Sequence, residues 1–186
     1  MYQVRNWLSE RIAPLHAEVD RRASGFDITT KGGADSLMRF LSIGIHDLEN
    51  GLDAAGAATV LSEYKARVRA HLLPRPLDRK PVSLGSEAEV WGALYVLEGS
   101  RLGGRWLANR SEHLRINAFF AKDEPVFWPT FLSRLEKANA YGVDRMGMLA
   151  GAEAAFGAFL RVAPDQNAAS GFVAPVGVGA TAELMA

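Results

Sequence analysis

The chain has no cysteine among its 186 residues, which excludes disulfides, iron–sulfur clusters and thiolate-ligated zinc and permits a reducing compartment. It also lacks an excess of either charge, with lysine plus arginine and aspartate plus glutamate at 21 each. Without a basic surplus, composition favours neither nucleic acid nor a membrane surface as a partner. No apolar run reaches the roughly 18 residues of a spanning helix, and Met1-Tyr2-Gln3-Val4-Arg5-Asn6-Trp7 lacks the apolar core of a secretory signal. A cytoplasmic, unanchored protein is expected. Also missing are the usual Gly-x-Gly-x-x-Gly fingerprint of nicotinamide or flavin binding, convincing strand-type alternation and any internal repeat.

What is present has a helical period. Leu8, Ile12, Leu15 and Val19 predict a first helix over about 3–22, in which Pro14 is tolerated only with a kink or break. A second is expected after Gly32-Gly33, burying Leu37, Phe40, Leu41, Ile45, Leu48 and Leu52, with a turn over 51–56. A third, carrying Val60, Leu61, Tyr64, Val68 and Leu72, should stop at Leu73-Pro74-Arg75-Pro76. Ser86 with Glu89 reads as a capping box opening a long fourth helix to about Arg110. Further helices follow Pro125 and Asp144, the last with Met148, Leu149, Ala152, Ala155, Phe156, Phe159 and Leu160 and ending before Pro164. With 48% hydrophobic residues, the expectation is one all-α domain of about seven helices over 1–165. A tail over 166–186, rich in Gly, Ala, Val and Ser, should be mobile or packed on a neighbour.

Two features carry chemistry. In Tyr95-Val96-Leu97-Glu98-Gly99-Ser100-Arg101-Leu102-Gly103-Gly104, three glycines interrupt a strong helical pattern, each at a cost of about 1 kcal/mol relative to alanine. Either another helix packs tightly there, or the helix bends to face a ligand. On the first helix, His16 and Asp20 stand at i and i+4 and share a face. They are either a partly exposed histidine with a neighbouring acid, or a metal ligand whose second ring nitrogen Asp20 holds. Together, a histidine helix opposite a glycine helix makes the sandwich that a flat macrocycle requires, and heme is such a macrocycle. Among the remaining candidates, His46 reads as a core or boundary residue, His71 and His113 as helix-end cations, Met146 and Met148 as core, and Trp91 and Trp106 as anchors of the glycine helix.

From about residue 10 to 163 the sequence resembles the heme oxygenases, most closely the short bacterial, biliverdin-producing kind associated with bacteriophytochromes. The resemblance lies in Leu15-His16 with Asp20, Phe26-Asp27-Ile28-Thr29, Phe40-Leu41, and Leu48-Glu49 with Leu52. It continues through Tyr95 to Ser100, Leu102-Gly103-Gly104, Trp128-Pro129, Phe131-Leu132 and Ala154-Ala155-Phe156. The ten-residue glycine motif is its specific part.

The resemblance implies a heme-oxygenase-like helical bundle in which His16 is the proximal iron ligand, Asp20 its partner, and Gly99, Ser100, Gly103 and Gly104 the oxygen side. It implies opening of heme b, both substrate and cofactor, by molecular oxygen to biliverdin, carbon monoxide and ferrous iron. Electrons would come from an external ferredoxin or reductase, and a bacteriophytochrome is a candidate acceptor of the product. Some members carry aspartate where this chain has Ser100, so proton delivery falls to Arg101 or to a backbone carbonyl with water. For the heme propionates the candidates are Arg11, Arg134 and Lys137, each also readable as an ordinary solvated charge. The rival readings are a heme sensor, carrier or storage protein on the same scaffold, and a binder of a different ligand.

Overall fold

The computed structural model describes residues 2–74, 76, 80–110 and 127–161, with backbone alone at 105–110. Among them are seven α-helices: α1 (Gln3–Ser24), α2 (Lys31–Ala54), α3 (Ala57–Val60), α4 (Tyr64–Arg67), α5 (Glu87–Arg110), α6 (Phe127–Ala140) and α7 (Arg145–Leu160), with a 3-10 turn at Ala70–Leu72. No strand occurs among the described residues, and none of their helices is long and apolar enough to cross a membrane. The all-α expectation holds. His113, Pro125 and the tail over 166–186 lie outside the described residues, as does the side chain of Trp106.

Local chemistry accounts for most of the helix ends. α1 is not broken at Pro14 and continues through it; Pro14 and Glu10 are both exposed, so the Glu10 carbonyl that Pro14 cannot serve can be hydrated. Thr30 caps α2 by accepting the Gly33 N–H at 3.1 Å. Gly32 and Gly33 therefore belong to its first turn rather than preceding it. α2 also runs beyond the expected turn at 51 and ends where Gly56 takes φ 73°. The predicted cap forms in its first half, with Ser86 Oγ accepting the Glu89 N–H at 3.2 Å, while the Glu89 carboxylate accepts the N–H of Gly85, one residue before the expected partner, at 2.9 Å. Asp144 caps α7 through the Gly147 N–H at 2.8 Å.

The expected third helix is instead three short pieces, α3, α4 and the 3-10 turn. A side chain from another helix competes for the backbone donors that a continuous helix would use. The buried Glu49 carboxylate of α2 accepts the N–H groups of Arg69 at 2.9 Å and Ala70 at 2.8 Å. Leu61, Val68 and Leu73 are extended, and the segment 61–73 becomes an irregular strap.

α7 is the hub, packing on α1, α2 and α5. Its crossing with α5 is so close that a Cβ at Gly92 would collide with the Met148 carbonyl, and one at Gly151 with the Glu89 carbonyl. Gly44 of α2 lies beneath the Phe159 ring in the same manner. Around these contacts Leu8, Leu37, Leu48, Leu52, Leu94, Leu97, Phe131 and Leu135 are fully buried. Of the apolar positions that set the expected helices, Leu15, Val19, Leu41, Val60, Val68, Leu149 and Leu160 are half-buried and Leu72 is exposed.

Candidate functional site

On α1, the i, i+4 spacing brings His16 Nδ1 to 3.0 Å from Asp20 Oδ2. The ring meets Phe156 of α7 edge-on, with centroids 5.8 Å apart at 74°. An imidazole whose Nδ1 donates to a carboxylate carries its lone pair on Nε2, the tautomer and orientation that a metal ligand needs. The end of α1 is pinned to α7 as well, Arg22 donating to the Leu160 carbonyl at 2.8 Å. His16 offers one ligand, and no group of three His, Cys, Asp or Glu suited to a metal ion occurs among the described residues.

On α5, Gly99 and Gly104 are buried while Ser100 and Gly103 are half-buried. A Cβ at Gly103 would meet no atom within 4 Å among the described residues, unlike one at Gly92, Gly147 or Gly151. Tight packing of α5 is carried by the Gly92 crossing, about three turns earlier, and no described atom stands against Gly103. Ser100 Oγ donates to its own helix at Leu97 O, 2.7 Å away, and keeps its lone pairs for another donor. α1 and α5 both lean on α7, so the histidine and glycine helices share one support.

The candidate cations are placed differently from one another. Arg11 stacks over the Trp7 ring at 4.1 Å and donates to the Trp7 carbonyl at 3.2 Å. Arg134 makes a two-pronged pair with Glu63 at 2.5 and 2.6 Å, which holds the Glu63 carboxyl down at about 2. Arg101 is buried, 3.1 Å from Glu98 and donating to the Arg67 carbonyl at 2.6 Å. Lys137 stands exposed in the last turn of α6. Of the other candidates, His46 and Met148 are buried, His71 and Met146 are exposed, and Trp91 is buried against Phe131.

Two groups of buried polar residues were not anticipated from sequence. Glu49 and Glu98 are buried with Arg69 and Arg101, and burial pushes the Glu49 carboxyl up despite the backbone N–H groups it accepts. Their signal was a charge inside an apolar run, Leu48-Glu49 and Leu97-Glu98. Tyr95 is buried beside Trp128, at 5.5 Å between rings, with its phenol pushed up by desolvation and its hydroxyl without a partner among the described residues.

The bundle thus brings a carboxylate-held histidine and a glycine-rich helix onto one supporting helix. A protein named heme oxygenase from Xanthomonas campestris pv. campestris (strain 8004) is 34% identical to this chain over 110 residues, covering 52% of this chain and 67% of that relative. The chain belongs to the heme oxygenase family. No family model and no solved structure matches it.

Proposed function

We propose that the protein is a cytoplasmic heme oxygenase that holds heme between α1 and α5 and opens it to biliverdin, carbon monoxide and ferrous iron. The observation that carries this reading is the Asp20 carboxylate at His16 Nδ1, which leaves Nε2 as the iron ligand. Heme, as the substrate, supplies the iron at which oxygen is reduced, and an external ferredoxin or reductase supplies the electrons. Asp20 orients the ring and raises its basicity. Gly99, Gly103 and Gly104 leave the opposite side open, because any larger side chain would fill the space oxygen needs. Ser100 can accept a hydrogen bond from an ordered water while its proton stays on the Leu97 carbonyl, giving protons a route to that side. Arg11 and Lys137 serve the propionates, joined by Arg134 if it exchanges Glu63 for a carboxylate of the substrate. A bacteriophytochrome that takes up biliverdin fits as the downstream acceptor.

Stoichiometric heme titration under anaerobic conditions tests the binding half. A defined Soret band is expected, with His16→Ala losing the axial ligand and the band shifting. A ferrous complex that is already six-coordinate and low-spin before any gas is added would contradict the proposal and favour a non-degrading heme binder.

A further inference from the structure

The back of α5 carries a buried ionic cluster that the proposed chemistry does not use. Glu98 is 2% exposed and Arg101 4%. Glu98 receives Arg67 Nη2 at 2.5 Å and Arg67 Nε at 3.1 Å, and Arg101 Nε stands 3.1 Å away. Arg101 reaches past it to the Arg67 carbonyl at 2.6 Å. Arg67 also lies over the Phe127 ring of α6 at 3.7 Å. The strap that supplies Arg67 is tied to α2, where Tyr64 donates to the Glu49 carbonyl at 2.9 Å and the Glu49 carboxylate takes the Arg69 and Ala70 N–H groups. It is tied to α6 by Glu63–Arg134.

At about 100° per residue, the mean direction of Glu98 and Arg101 lies roughly 160° around α5 from the mean direction of Gly99, Ser100, Gly103 and Gly104. The clamped face and the glycine face are back to back. Apolar contacts tolerate small rotations of a helix, whereas a desolvated ion cluster keeps its energy only in the geometry that satisfies every partner. We infer that the Arg67–Glu98–Arg101 cluster is a positioning device that fixes the rotation of α5, so that its glycines face the space on the opposite side. The use of that face rests on the heme proposal; the clamp itself does not.

The native chain has no cysteine, so Gly103→Cys gives the full-length protein a single thiol on the glycine face. Its rate of reaction with a small neutral maleimide, measured without heme, reads the rotation of α5 directly. In the Glu98→Gln background the rate is expected to fall by about tenfold, as the population with that face presented falls, and Glu98→Asp should recover part of it. The pair Glu98→Leu with Arg101→Met leaves no buried unpaired charge on α5, since Arg67 is near enough to the surface to reach water; the same loss is expected in a protein that still melts cooperatively. An unchanged rate in a cooperatively folded variant would overturn the inference. So would loss of cooperative melting in both backgrounds, because the cluster would then be a folding requirement and not a positioning one. Heme titration of the unsubstituted protein, which keeps both Gly103 and the cluster, tests the other reading separately: no defined Soret band there would count against the heme proposal and leave the clamp standing.

Discussion

At the scale of single residues, the glycines divide into two kinds that respond oppositely to the same change. Gly103→Ala adds a methyl where nothing stands within 4 Å among the described residues. It should raise the stability of the heme-free protein by about 1 kcal/mol and weaken heme binding, read by thermal melting and by titration. Gly92→Ala drives a methyl into the Met148 carbonyl and should cost on the order of 3 kcal/mol. His16→Ala removes a half-buried side chain whose one ion pair is exposed, so melting of the heme-free protein should move by no more than about 0.5 kcal/mol while the heme spectrum changes. Equal losses of stability in Gly92→Ala and Gly103→Ala would show that Gly103 is packed after all.

Among the elements, the strap over 61–73 is where sequence and structure part. Its apolar spacing is helical, and no neighbour in sequence reveals that Glu49, 20 residues earlier, takes the Arg69 N–H. The Arg134–Glu63 pair spans 71 residues and was equally invisible, so Arg134 read as a solvated or propionate-binding cation. Charges are normally solvated, and the exceptions are set by tertiary partners that no local pattern encodes. The Ser86 cap and the start of α7 at Asp144 were legible because their determinants lie within one helical turn. The strap also carries a pH dependence. Arg134 holds the Glu63 carboxyl at about 2, below its ordinary 4.5, so the stability this pair contributes is complete above about pH 4.5 and lost as pH falls toward 2. Both side chains are more than a third exposed, which keeps the effect small through solvent screening. Arg134→Met should therefore lower stability slightly and by a constant amount above about pH 4.5, with the difference from the unsubstituted protein vanishing as pH falls toward 2, measured by denaturant unfolding followed by circular dichroism at a series of pH values.

For the whole molecule, α7 organises both the core and the site. Its glycines admit α5, its Phe156 abuts His16, and its C-terminus receives Arg22. The motifs of the site were readable from sequence as His16 with Asp20 and as the glycine run. What needed three dimensions was the division of labour along α5, in which Gly92 packs and Gly103 meets no atom among the described residues. The central claim is that this arrangement degrades heme rather than only holding it. Its most direct measurement is aerobic turnover of the reconstituted ferric complex with a reductant, followed by chromatography of the pigment. The account predicts loss of the Soret band with release of biliverdin and carbon monoxide; a Soret band that persists through reduction and oxygenation, with no biliverdin recovered, would contradict it.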